Sequence, residues 1–231
     1  MSNNNERLKL IAEGLGELNH RVVFVGGCVA QLYATDLASS EVRPTDDVDC
    51  VVNLSSYSDY NMFSELLRER KFSNSMRPGD PICRWTFQDE IVDIMPCEDS
   101  PIGPSNRWYK PGMRHKIVYE VSQGVMIQVL PVIYYIATKL EAVHSRGGDD
   151  LRFSHDFEDI VYVLNYSNEF EAQLSASEDY QLKSYLIEQF HYLLSRPFIR
   201  EEILSALPYG ESEALERIVS IMQSITKEKD E

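Results

Sequence analysis

The chain has 231 residues, 43% of them hydrophobic and 10% aromatic, enough for one sizeable core or a core with a helical annex. A net charge of −15 excludes a surface that attracts nucleic acid as a whole, so any such contact requires a local basic patch. No apolar run approaches the roughly 20 residues that span a bilayer, MSNNNERLK lacks a signal-peptide core, and Cys28, Cys50, Cys83 and Cys97 show no zinc-finger spacing, so a cytoplasmic protein with reduced structural cysteines and no membrane partner is expected.

In chain order, Asn5 to Leu18 predicts an amphipathic helix with Leu8, Ile11, Leu15 and Leu18 on one stripe, weakened by Gly14 and Gly16 and packed against a sheet. Val22 to Val25 is a β-branched and aromatic run that reads as a buried strand, ended by Gly26-Gly27. Cys28 to Leu37 carries Val29, Leu32 and Tyr33 at helical spacing. The glycine pair therefore sits at a strand-to-helix turn, where backbone approaches a ligand closely and unpaired N–H groups point at an anion. Thr45-Asp46-Asp47 leads into a second strand, Val48 to Val52, so Asp47 and Asp49 share one face of its leading edge. Two like charges there repel unless a cation lies between them, which makes a candidate magnesium site beside a candidate phosphate site; the other reading is a pair of solvated turn residues.

Tyr60 to Arg70 predicts a helix with Phe63, Leu66 and Leu67 inward, and Ile82 to Phe87 and Glu90 to Met95 predict two strands about a Gln88-Asp89 turn. Asp93, between Val92 and Ile94, is a carboxylate in an apolar strand, a costly placement that either a metal ion or pairing with Arg84 would compensate. From Ser100 to Lys116 several cations occur without an acid. Arg107, Lys110, Arg114 and Lys116 alternate with Trp108 and Tyr109, which reads as a loop that stacks a base and contacts phosphates, or as a surface loop whose aromatics tuck onto the core.

Ile117 to Val121 and Val125 to Leu130 predict a hairpin, after which Pro131 opens a helix to about Ser145. Lys139 lies on the apolar stripe of Val132, Ile136, Leu140 and Val143, so it needs an anionic partner or must snorkel to water. Ser154 caps the next helix, whose first turns carry Asp156 and Asp159; acids there favour the helix dipole without any further role. Beyond about Ser167 the chain is helical and acidic, with a KEKDE end expected to fray.

The order strand, Gly-Gly, helix, T-x-D-x-D, strand, followed by Asp93 in QDEIVDIMP, resembles the nucleotidyltransferase superfamily of the polymerase-β type, and more narrowly the AbiEii-like and MenT-like toxin transferases. ATKLEAVHSR, Ala137 to Arg146, with a following D-x-x-D-I resembles the second half of the AbiEii-like signature, and S-N-R-W-Y looks like the loop before the last strands of those proteins. The resemblance implies an α+β fold, with a mixed β-sheet nucleotidyltransferase core flanked by helices over residues 1–165 and a C-terminal helical region over 166–231. It implies Mg²⁺ held by Asp47, Asp49 and Asp93, with a two-metal site as an option. Gly26, Gly27, Thr45 and Lys139 would bind the nucleotide, and Arg107, Trp108, Tyr109 and Lys110 the acceptor. Asp156 would hold or activate the partner of Lys139; Asp159 is its rival, because His155 departs from the family pattern and the link to Ser154 contains Gly-Gly-Asp-Asp.

The implied reaction moves a nucleoside monophosphate from a nucleoside triphosphate to an acceptor hydroxyl, on tRNA or another RNA, as the toxin of a pair with a cognate antitoxin. Two other readings stay open. One is an antibiotic-modifying transferase, whose small cationic acceptor an acidic protein attracts. The other is a nucleotide-binding regulator without chemistry, against which the intact Asp47, Asp49 and Asp93 argue.

Overall fold

Alternating and continuous apolar runs assemble into a mixed sheet of seven strands in the computed structural model, which describes residues 4–36, 39–54, 56–146 and 149–227. The strands are β1 (Val22–Val25), β2 (Asp47–Val52), β3 (Ser73–Asn74), β4 (Arg84–Phe87), β5 (Glu90–Pro96), β6 (Ile117–Ser122) and β7 (Val125–Val129), in the spatial order β3-β4-β5-β2-β1-β7-β6. β2 pairs with β5 and β1 with β7 in parallel; the other pairs are antiparallel. The helices are α1 (Asn4–Leu15), α2 (Tyr57–Glu69), α3 (Tyr109–Arg114), α4 (Val132–Arg146), α5 (His155–Tyr166), α6 (Phe170–Ala176), α7 (Tyr180–Ser195), α8 (Ile199–Ala206) and α9 (Ala214–Lys227). The class is α+β, as the sequence leads one to expect. Among the described residues no helix is long and apolar enough to cross a membrane.

Several elements differ from expectation for local reasons. α1 stops at Leu15 because Gly16 takes φ +52, a left-handed conformation that ends the helix, and the chain continues as a 3-10 helix over Gly16–Arg21. The segment after Gly26 is also a 3-10 helix, Gly27–Tyr33; Val29 and Leu32 are three apart, a spacing that three residues per turn stacks directly. The expected helix end at Leu37 lies outside the described residues, as does the frayed end expected beyond Lys227. The 100–116 segment, expected as a loop, contains α3. β3 is too short to leave a periodic trace in the sequence.

The chain divides into two compact units. The first, residues 1–29 and 43–131, holds the sheet and α1 to α3. Leu8, Ile11 and Leu15 of α1 are fully buried, and the helix packs on β2, β6 and β7. One turn before Ile11, Arg7 is buried as well, at 5% exposure. Its Nε lies 2.5 Å from Glu90 Oε2, its Nη2 donates to the Asp46 carbonyl at 2.9 Å, and its Nη1 donates to the Thr45 carbonyl and to Thr45 Oγ1. One guanidinium thus ties the entry of β2 to the start of β5. Asn4 adds to the clamp, donating to the Arg43 carbonyl and accepting from the Thr45 N–H.

The second unit, residues 30–42 and 132–231, holds α4 to α9. α5 begins as expected, with Ser154 Oγ accepting from the Phe157 N–H at 3.3 Å. Buried Glu202 accepts two bonds from Arg196, at 2.9 and 2.5 Å, and one from the Leu151 N–H at 3.1 Å, fixing α8 against the turn before α5. All four cysteines are buried and free. Burial pushes the Cys28 thiol up to about 12, so it is an inert packing group.

Replacing Arg7 by Met should lower unfolding stability by about 3 kcal/mol, because Glu90 and two backbone carbonyls lose their buried donor. Chemical denaturation checks this. A loss under about 1 kcal/mol, typical of an exposed ion pair, would show that the guanidinium is not a clamp.

Candidate active site

The register of the sheet builds the site. Arg84, Asp93, Asp49 and Val25 are successive partners across β4, β5, β2 and β1. Cross-strand partners project to one face, and Asp47, two residues before Asp49, projects to the same face. Oxygens of Asp47, Asp49 and Asp93 all lie within 4.8 Å of one another, close enough to share one divalent ion. All three donors are carboxylates, a hard oxygen set that suits Mg²⁺ or Mn²⁺ and not a thiophilic metal.

Gly26 follows Val25 at the end of the row. It takes φ +73, and a Cβ built there would lie 2.0 Å from Asp49 Oδ2. The glycine is needed twice, for its backbone conformation and for the space that the Asp49 carboxylate fills.

One cation lies directly against this concentration of negative charge. Arg84 Nε donates to Asp93 Oδ1 at 2.9 Å and Nη2 to Oδ2 at 2.7 Å, a two-pronged pair. The same Nη2 lies 3.5 Å from Asp47 Oδ2, and Nη1 lies 3.5 Å from Asp80 Oδ1. Burial and the neighbouring Asp93 charge raise the Asp47 carboxyl above the usual aspartate range, while Arg84 and Arg7 oppose that shift. Of the two compensations open at the sequence level, pairing with Arg84 is present, and the same row has the carboxylates that could hold a metal ion.

Thr45 faces inward on this region. Its hydroxyl donates to the Asp47 carbonyl at 2.9 Å, so it shapes the β2 entry. Gly27 opens the 3-10 helix. In the 107–110 stretch the alternatives divide by residue: the Trp108 indole is buried with the Arg107 guanidinium 5.5 Å from its ring centre, Lys110 pairs with Glu98 at 2.7 Å, and Tyr109 starts α3. Lys139 and Asp156 belong to the second unit. The Lys139 ammonium is 3.1 Å from Asp156 Oδ1 and 2.5 Å from Asp159 Oδ2, so the lysine takes both candidate acids as partners and does not snorkel. Burial alone would lower its pKa, but Asp159 and then Asp156 outweigh burial and hold it charged above the ordinary lysine value. Arg146 bonds the other oxygen of Asp156 at 3.0 Å.

Two charged side chains around this row are hard to single out from the sequence. Arg7 sits on the buried stripe of α1, four residues before Ile11, the same kind of signal that singled out Lys139. Arg84 was considered only as a partner of Asp93, and its reach to Asp47 follows from strand order, which the sequence does not display.

No protein-family model and no curated protein matches the chain. Among solved structures it is similar to an antigenic nucleotidyltransferase-like protein from Paracoccidioides brasiliensis, with a TM-score of 0.54 and 16% identity over 88% of this chain and 93% of that one. At that identity the likeness establishes the shared fold, a nucleotidyltransferase-like α+β architecture.

Proposed function

We propose that this chain is a nucleotidyltransferase that moves a nucleoside monophosphate from a nucleoside triphosphate to an acceptor hydroxyl and releases pyrophosphate. The observation that carries the reading is the three-carboxylate row of Asp47, Asp49 and Asp93 beside Gly26. Mg²⁺ held by these carboxylates, singly or as a pair, would polarise the α-phosphate and offset the charge on the leaving pyrophosphate. Asp93 is assigned to accept the acceptor's proton, Asp49 is fixed in place by Gly26, and the backbone around Gly26 and Gly27 is assigned to phosphate. Thr45 shapes that pocket through the Asp47 carbonyl. Lys139, kept charged by Asp156 and Asp159, is assigned the phosphate-contacting role that the AbiEii-like and MenT-like resemblance gives it. On this reading residues 1–165 are the functional core, and 166–231 a helical region that supplies packing and partner surface.

The acceptor most in keeping with the resemblance is the 3′ end of tRNA, met through Arg107 to Lys110, with the chain acting as the toxin partner of an antitoxin. A small cationic acceptor is the second reading. The pairing of Lys110 with Glu98, the burial of Trp108 and the net charge of −15 all subtract from an RNA-binding surface and favour it.

Incubation with α-labelled nucleoside triphosphates, Mg²⁺ and either total tRNA or aminoglycosides should label one acceptor class. Asp49→Asn should reduce that label by about 10²-fold or more, the scale of losing a charge-stabilising group at a reacting centre. An unlabelled outcome with every acceptor, or full activity in Asp49→Asn, contradicts the reading.

A divalent ion on the three carboxylates must also compete with Arg84 for Asp93. Arg84→Gln should therefore bind Mn²⁺ at least about tenfold more tightly in calorimetry without nucleotide, the equivalent of one charge-assisted hydrogen bond. Equal or weaker binding would show that Arg84 and the ion do not share ligands.

A further inference from the structure

The two margins of the sheet are finished differently. At one end β3 is two polar residues long, the short edge that soluble proteins use to discourage strand addition. At the other end β6 runs for six residues and, among the described residues, pairs only with β7. Its outer residues are apolar and open: Ile117 is 39% exposed, Val118 64% and Tyr119 37%, with Met126 of β7 beside them at 45%. The stretch Ile117 to Glu120 has no proline and keeps regular register with β7; the register shift falls after it, between Glu120 and Ser122. A β-branched and aromatic margin with four residues in regular register is a template for another strand.

The sequence of the edge says which strand fits. Lys116 precedes β6, Glu120 lies within it, and Val118 is midway between them. When two such strands pair antiparallel about a two-fold axis through Val118, residue numbers of facing partners sum to 236. Val118 then faces Val118 of the second copy, Ile117 faces Tyr119 twice, and Lys116 faces Glu120 twice. Side chains on alternate positions share a face, so one face carries the two Ile–Tyr pairs and the other a valine pair flanked by two opposite-charge pairs. Moving the axis by one residue in either direction breaks this match: centring on Ile117 sets Lys116 against Val118, and centring on Tyr119 sets Glu120 against Val118. In each case one charge faces an apolar side chain and the two Lys–Glu pairs are lost. A two-fold contact of this type is self-complementary, which is the condition for a closed dimer and against open-ended fibres.

We infer that the partner of the β6 edge is a second copy of this chain, joined β6 to β6 in the register centred on Val118, so that the seven-stranded sheet continues across a two-fold axis. Of the residues it uses, Lys116 alone belongs to the 100–116 stretch read as a candidate phosphate-contacting loop, and none belongs to the carboxylate row. The inference stands or falls independently of the transferase reading.

Sedimentation equilibrium or light scattering of the full chain, over micromolar to hundred-micromolar concentrations, tests it. The expected result is a concentration-dependent mass rising toward twice 26.6 kDa. Glu120→Lys and Lys116→Glu should each weaken the dimer at least about fivefold, because each sets like charges opposite one another twice. The double variant with both changes should recover most of the wild-type constant, since the pairs are restored with signs reversed. Circular dichroism of the three variants should match wild type, and the two variants that carry Glu120→Lys should melt slightly lower, because Glu120 Oε1 accepts a bond from the Gly124 N–H at 2.8 Å that they lose. A monomer at every concentration overturns the inference. So does a dimer whose constant ignores the single changes, or a double variant no better than the singles.

Discussion

Mutual repulsion among Asp47, Asp49 and Asp93 is the constraint on which the rest of the first unit depends. Three carboxylates with oxygens within 4.8 Å of one another, one of them buried in the sheet, do not stay together without positive charge between or beside them. Arg84 supplies part of that charge through its two-pronged bond to Asp93 and its reach to Asp47. One guanidinium leaves the group net negative, and burial, then the Asp93 charge, raise the Asp47 carboxyl above the usual aspartate range. The row offers a hard cation three carboxylate ligands, one of which, Asp93, is already paired with Arg84.

The scaffold around this charge is correspondingly rigid. Parallel pairing of β2 with β5 sets Asp49 directly opposite Asp93, and antiparallel pairing of β4 with β5 sets Arg84 on the other flank. Gly26 leaves room for the Asp49 carboxylate where any side chain would collide with it. Below the row, Arg7 and Asn4 reach from α1 to the backbone of residues 43–46 and, through Glu90, to the first residue of β5. Both strands that carry the acids are therefore fastened at the same end by one helix. In the second unit a different solution appears: Lys139 is buried with two acids of its own, a compensated group whose charge is secure across the physiological range.

What could be read from the residues alone follows the reach of each signal. Asp47 and Asp49 are two apart on a strand, so their common face is a local fact, and Gly26 announced itself because it ends an apolar run. Asp93 stood out as an acid between Val92 and Ile94. Lys139 stood out by lying on an apolar stripe, and the same logic applied to Arg7 would have found the clamp on α1. Arg84 was beyond reach in its full role, since its contact with Asp47 depends on β4 lying next to β5 and β5 next to β2, a matter of strand order between residues 37 apart in the chain. The 3-10 geometry after Gly26 and the short α3 were hidden for a simpler reason. Spacings of three and four residues serve both helix types, and Pro111 and Gly112 argue against a helix that nevertheless forms. The chemistry of the acceptor leaves a fainter trace still, because Trp108 and Lys110 turn out to be engaged with the protein itself.

The most direct test of the central claim is a crystal structure of the chain grown with Mn²⁺ and recorded at the manganese absorption edge. The account predicts an anomalous peak bounded by Asp47, Asp49 and Asp93, with Arg84 withdrawn from at least one oxygen of Asp93. Manganese absent from that position, with the two-pronged Arg84–Asp93 pair unchanged, would contradict it and leave the row as an ordinary structural ion-pair network.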